Sequence, residues 1–262
     1  APAGSVLYHN DKREIASDLN EALAKGTRPS GYKVIKTHFL TEVLMKKYDP
    51  GIKRIAYIQR DFRDIVISAF FYKHRKINIR ESDVILSKFS KVLRRGPLGI
   101  LRYYRSRWLL WKCLNSICIQ WEAKLKEVGS WNKHIENALE FSVRNPHVHM
   151  AFTTYEAMLH DAKSVALDIL RKLDLEVPPD YKIELAVEMQ SFKNKKKYLE
   201  SLPDNCAIPR GKEFNIKFMR KGVSGDWKNF FSSKMAQRLH EAVGDSLLKY
   251  GFENNPEWIR QL

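Results

Sequence analysis

Residues 54–72 read Arg-Ile-Ala-Tyr-Ile-Gln-Arg-Asp-Phe-Arg-Asp-Ile-Val-Ile-Ser-Ala-Phe-Phe-Tyr. Lys53 to Gln59 is a short apolar run flanked by charge, which suits a central parallel strand covered on both faces. Asp61 or Asp64 then supplies a capping carboxylate for a helix that runs through Phe71. Strand, turn and helix in that order put Arg60 at the carboxyl edge of a sheet, where open α/β sheets bind ligands, and Ser68 inside the following helix.

Working outward, the same alternation continues. Residues 12–25 carry Ile15, Leu19 and Leu23 at helical spacing, and a Gly-Thr-Arg-Pro-Ser-Gly turn leads to a strand at 32–36. A third strand, His147 to Thr153, leads to Tyr155. The stretch Asp161 to Leu173 places Val165, Ile169 and Leu173 on one helical face and stops before Pro178-Pro179. Residues 180–192 read as helical until Lys193 to Lys197 interrupt with charge. A last helix, Lys234 to Tyr250, sets Met235, Leu239, Val243 and Leu247 on its core side. The expected fold is α/β, a single domain over residues 1–262 with a central parallel sheet flanked by helices.

Composition sets bounds on function. With 262 residues and 44% apolar content, the chain can bury a large core. Cys113, Cys118 and Cys206 make no even disulfide framework, and the spacing of the first two does not suit a zinc pair, so buried thiols in a reducing compartment are expected. No run is long and apolar enough to cross a bilayer, and no secretory leader opens the chain, so a cytoplasmic protein without a transmembrane segment is expected. The net charge of +16 is uneven: residues 53–112 hold 16 Lys or Arg against 4 Asp or Glu. That surplus either steers an anionic ligand, holds the protein on a nucleic acid or an anionic membrane, or simply faces water. No nucleic-acid reading motif accompanies it, so no specific nucleic-acid partner is expected.

Two further segments carry chemistry. Residues 218–229, Phe-Met-Arg-Lys-Gly-Val-Ser-Gly-Asp-Trp-Lys-Asn, set adjacent cations against glycines. Arg220 and Lys221 can supply charge and directed donors, while Gly222 and Gly225 let backbone N–H groups approach an anion. The competing reading is a solvated basic loop that buries Trp227. In Lys36-Thr37-His38, a histidine follows a strand end; Lys36 shares its face of the extended chain and Thr37 points the other way. Taken alone, such a histidine is as readily a packed or surface residue as a base.

The three segments together resemble the sulfotransferases that use 3′-phosphoadenosine 5′-phosphosulfate. Tyr-Lys-Val-Ile-Lys-Thr-His-Phe-Leu at 32–40 is similar to that family's strand and catalytic turn, residues 54–72 to its 3′-phosphate segment, and the Arg220 block to its third signature. Gly129-Ser130-Trp131 and Thr154-Tyr155-Glu156 fall between them as in cytosolic-type members. The resemblance implies a nucleotide-binding architecture like that of the P-loop kinases. It implies His38 as general base, with Lys36 beside the transferred group. Arg60, Ser68 and Arg220 would hold the 3′-phosphate, with Lys221 and Gly222 completing the cradle. Tyr155, Phe192, Phe218 and Met219 would contact the adenine side. Gln190-Ser191-Phe192 stands where the family has Thr-Ser-Phe, which puts an amide at the first position.

Three departures qualify the resemblance. The family's N-terminal Pro-Lys-Ser-Gly-Thr-Thr-Trp loop, which wraps the 5′-phosphosulfate, would lie before Ala1, and a truncated chain is the expectation. Residues 77–127 are longer than the family usually has there and read as a helical insertion, either a lid or partner surface or structural packing. Residues 228–237 do not match the family's dimer motif, so a homodimer through it is not assumed. The implied function is transfer of a sulfuryl group to a hydroxyl or amine of a small-molecule acceptor without a metal, and the surrounding cations point to acidic groups on that acceptor. The alternative is a catalytically inactive nucleotide-binding or scaffold protein with a basic partner surface.

Overall fold

The computed structural model describes residues 7–8, 35–48, 52–74, 77, 79–124, 130–204 and 212–261. Two parallel strand pairs are present among them. β1 (Leu7–Tyr8) pairs with β2 (Ile35–Lys36), and β3 (Arg54–Gln59) pairs with β4 (His149–Thr154) in continuous register from Arg54 opposite His149 to Gln59 opposite Thr154. The expected helix at 12–25 and the turn before residue 32 lie outside the described residues. β3 is not covered on both faces: Ile58 on the alternate side is 52% exposed.

The helices are α1 (Thr41–Tyr48), α2 (Phe62–Lys73), α3 (Phe89–Leu93), α4 (Gly96–Lys124), α5 (Trp131–Arg144) and α6 (Tyr155–His160). They continue as α7 (Ala162–Lys172), α8 (Asp180–Gln190), α9 (Phe192–Ser201), α10 (Lys212–Phe218) and α11 (Ser233–Lys249). Parallel pairs with helical connections give the α/β class that the alternation predicts. Asp61, rather than Asp64, caps α2: its Oδ1 accepts from the Arg63 backbone N–H at 2.8 Å. The lysines at 193–197 do not interrupt a helix but lie within α9. The break falls at Ser191, whose hydroxyl accepts from Asn194 N–H and starts α9 afresh.

The main core forms where α2 meets α4, α5 and α11. Val66, Ile67 and Phe70 of α2 are fully buried with Leu110 and Leu114 of α4, Ile135 of α5, and Leu239 and Leu247 of α11. Within residues 77–127, the least legible part of the sequence, short 3₁₀ turns at Glu81–Asp83 and Leu86–Lys88 and the short helix α3 lead into the long helix α4. Its inner face is built into this core, where Arg107 donates to the carbonyls of Val84 and Phe230.

The N-terminus of α2 is tied to the C-terminal part of the chain by one buried arginine. Arg63 forks onto both Asp61 carboxylate oxygens, donates to Glu253 at 2.7 Å and to the Phe252 carbonyl at 2.8 Å, and lies 4.3 Å from the Trp227 ring and 4.8 Å from the Trp258 ring. Removing a fully enclosed partner strands the opposing charge. Arg63→Ala is expected to cost about 3–5 kcal/mol, read from urea unfolding, whereas Arg260→Ala at the exposed Glu257 pair should change stability by less than about 1 kcal/mol.

Candidate functional site

Two side chains meet at the carboxyl edge of the β3–β4 pair because the strands are parallel and in register. Arg60 follows β3 and Tyr155 follows β4, and the Arg60 guanidinium carbon lies 4.3 Å from the Tyr155 ring centroid. The arginine backbone is fixed by Trp131, whose indole N–H donates to the Arg60 carbonyl at 3.0 Å. Its Nε is buried without a hydrogen-bond partner among the described residues. Thr154 caps α6 through the Ala157 N–H, and Glu156 accepts from Asp61 N–H at 3.2 Å, so the two strand ends hold each other.

The second part of the site is brought in by Asp64. Its carboxylate accepts the backbone N–H of Gly225 at 2.7 Å and of Trp227 at 3.0 Å, which pins the turn at 219–227 against α2. Burial raises the Asp64 pKa above its ordinary value, although the two N–H donors act the other way. Trp227 is buried, as one of the two sequence readings required, and the turn that buries it is ordered by ion pairs. Arg220 lies 2.8 Å from Glu81 and 2.6 Å from Asp226, and Lys221 lies 2.9 Å from each of the same carboxylates. Burial by itself would raise the Asp226 pKa, but Lys221 and Arg220 outweigh it and hold the carboxyl below its ordinary value.

Arg220 also covers the Phe71 ring of α2 at 4.9 Å, one helical turn beyond Ser68, which is half-buried. Gly222 has φ +66°, and a Cβ there would stand 2.3 Å from the Phe192 ring, so the turn needs glycine for both its conformation and this close approach. Phe192 thus joins Gly222, with Ser191 spent on its cap and Gln190 exposed at the end of α8. Met219 is half-buried just after α10; the Phe218 side chain lies outside what is described. The sequence-predicted residues therefore form two groups, Arg60 with Tyr155, and Arg220 with Lys221, Gly222 and Phe192, the second reaching α2 where Arg220 covers Phe71.

His38 is exposed in the turn after β2, while Thr37 is half-buried and caps the turn by accepting the Phe39 N–H at 3.1 Å. Lys36 ends β2, and its side chain lies outside what is described. The His38 backbone is positioned by residues that the sequence reading missed. His134 Nε2 lies 3.2 Å from the His38 carbonyl, and Nδ1 lies 2.6 Å from the Tyr57 hydroxyl. A carbonyl only accepts, so Nε2 carries the proton and Nδ1 accepts from Tyr57. Burial raises the Tyr57 pKa and lowers that of His134, which suits two neutral partners. Glu81 was also missed. Only the fold brings it beside cations 139 residues along the chain.

A family model described as Sulfotransferase domain matches residues 7–251, and the chain belongs to that family. Sulfotransferase 2A6 of Mus musculus is 23% identical over 226 residues, 86% of this chain and 67% of that protein. The 3-beta-hydroxysteroid sulfotransferase of Cavia porcellus is 21% identical, covering 83% of this chain and 64% of its own. The chain thus spans about two thirds of the length of these curated relatives. Mouse sulfotransferase SULT7A1, solved as a complex with PAP, has the same fold, with TM-score 0.59 and 18% identity over 99% of this chain and 78% of that chain. A retinol dehydratase complexed with androsterone and inactive cofactor PAP follows at TM-score 0.50 and 19% identity, over 86% of this chain and 56% of that one.

The depressed His134 pKa fixes a direction for pH dependence. The stability that this residue contributes is complete above the ordinary imidazole value of 6.5 and is lost as pH falls through the lower native value, because the unfolded chain takes up the proton first. A urea series from neutral pH to about pH 5 should show this loss, and His134→Gln should flatten it.

Proposed function

We propose that the chain is the nucleotide-holding body of a sulfotransferase that uses 3′-phosphoadenosine 5′-phosphosulfate and acts on a hydroxyl or amine of a small molecule. The observation that carries this reading is the Arg60 guanidinium, whose Nε is buried without a hydrogen-bond partner among the described residues, beside the Tyr155 ring at the carboxyl edge of two parallel strands. A buried cationic donor without a partner is costly unless an anion completes it. Arg60, Ser68, Arg220, Lys221 and the Gly222 backbone would hold the 3′-phosphate, with Tyr155 and Phe192 against the adenine and Met219 and Phe218 on the same side. Ser191 and Gln190 would line the edge of that pocket.

The nucleotide donor supplies the sulfuryl group. His38 takes the proton from the acceptor hydroxyl or amine as the new bond to sulfur forms, and Lys36 stabilises the charge that the departing phosphate gathers. His134 and Tyr57 act behind His38 by holding its backbone. The acceptor is the small-molecule class that the family resemblance implies, its acidic groups inferred from the surrounding cations alone.

A second reading is favoured by one observation. Glu81 and Asp226 already neutralise both turn cations, as they would in a catalytically silent relative that serves as a scaffold. In the leading reading the half-exposed Glu81 yields to the phosphate while buried Asp226 stays. Two measurements separate the readings. Glu81→Gln should tighten adenosine 3′,5′-bisphosphate in calorimetry by up to about fivefold, the scale of a partly exposed ion pair. With full-length protein, labelled donor and a mixed hydroxyl and amine panel, transfer should occur, and His38→Ala should lower it by roughly 10²–10⁴ with nucleotide affinity nearly unchanged. Tight nucleotide binding by the full-length protein without transfer to any acceptor would establish the silent relative instead.

A further inference from the structure

The face of α4 turned away from the core is unlike an ordinary solvated helix face. Inward, Tyr103, Ser106, Leu110, Cys113 and Leu114 are buried. Outward, Leu98 at 70% exposure, Leu101, Tyr104 and Trp108 at 52% occupy one arc at spacings of three and four residues. Arg102, Arg105 and Lys112 stand in the same arc, all exposed. Residues 84–121 contain eight Lys or Arg and no Asp or Glu, so no acid in this stretch offsets the face. Lys112 instead lies 3.9 Å from the Trp108 ring. Phe89 of α3 packs on Tyr103 at 4.8 Å and reaches Tyr104 at 6.2 Å, which makes the two helices one continuous surface.

The chemistry of the surface selects its occupant. A second copy meeting it face to face would set two acid-free cationic arcs against each other. A nucleic acid offers phosphates to the cations but no hydrocarbon for Leu98 and Leu101. The surface of an anionic bilayer offers both, with charged headgroups for the arginines and acyl boundary for the leucines, and with an indole at the level where tryptophans settle. No described helix is long and apolar enough to cross a membrane, so the geometry is that of a helix lying in the interface, with Leu98 to Lys112 covering about 21 Å. We infer that the outer face of α4 docks the protein on the surface of an anionic lipid bilayer, a property independent of the nucleotide site.

The test is co-sedimentation of the whole chain with vesicles of phosphatidylcholine containing phosphatidylserine, against vesicles of phosphatidylcholine alone. Binding to the anionic vesicles that weakens with added salt is expected. Replacing Arg102, Arg105 and Lys112 together by Gln should lower partitioning on the order of a hundredfold, and L101E/W108E should reduce it to the level of the neutral vesicles. Should either variant lose its native dichroism, quenching of the wild-type tryptophan fluorescence by brominated acyl chains in the anionic vesicles provides the second reading, expected strong. Failure to sediment with anionic vesicles, unchanged binding of the folded variants, absence of quenching, or displacement from the vesicles by a duplex oligonucleotide or an acidic protein held more tightly would each overturn the inference.

Discussion

The arrangement depends on one carboxylate. Asp64 sits in the first turn of α2 and accepts two backbone N–H groups from a turn 161 and 163 residues further on. These are hydrogen bonds to an ionisable acceptor in a buried setting, where an unsatisfied backbone donor costs more than a made bond contributes. They fix not only Trp227 in the core but the glycine-bearing turn that carries Arg220 and Lys221. Arg63, one residue earlier, performs the complementary task, binding Asp61, Glu253 and the Phe252 carbonyl between two indoles. Alternating acid and base at 60–64 thus divides its labour: Arg60 faces the strand edge, Asp61 caps, Arg63 locks the C-terminus, and Asp64 holds the turn.

Electrostatics explain why such a cluster of cations can fold before meeting any ligand. Arg220 and Lys221 on adjacent residues would repel, and each lies against Glu81 and Asp226 instead. The two acids are not equivalent. Asp226 is buried, with its pKa held low by the cations, so it belongs to the turn itself, whereas Glu81 comes from the segment leading into α4 and keeps its carboxylate partly in water. An anion entering this corner competes with Glu81 first. The same segment therefore links the cationic turn to α4, whose inner face completes the core and whose outer face carries the unbalanced charge.

The α/β frame was legible where one periodicity dominated. The strand ending at Gln59 stands, though without the cover on both faces that its apolar run implied, and the amphipathic stripe of α11 stands because its apolar side chains share a single face. Boundaries set by a single hydrogen bond were harder. Nothing local decides between Asp61 and Asp64 as the cap, since both spacings suit, and only the distant Gly225 and Trp227 donors give Asp64 its other role. The lysine-rich stretch read as a break because charge was taken for loop, while Ser191 carries the real interruption. The turn motif was visible as a motif, but Glu81 was not, as no sequence pattern joins residue 81 to residues 220 and 221. The Tyr57–His134 contact escaped for the same reason, a bond across 77 residues between two side chains unremarkable by themselves.

The most direct measurement of the central claim is calorimetry of adenosine 3′,5′-bisphosphate with the wild-type chain and with Asp64→Asn, which keeps the side-chain shape but sets an amide donor against one of the two backbone N–H groups. The account predicts measurable heat with the wild type and a loss of affinity of about tenfold or more in the variant while its dichroism stays native. Equal affinity in both proteins, or no heat with the wild type, would contradict it.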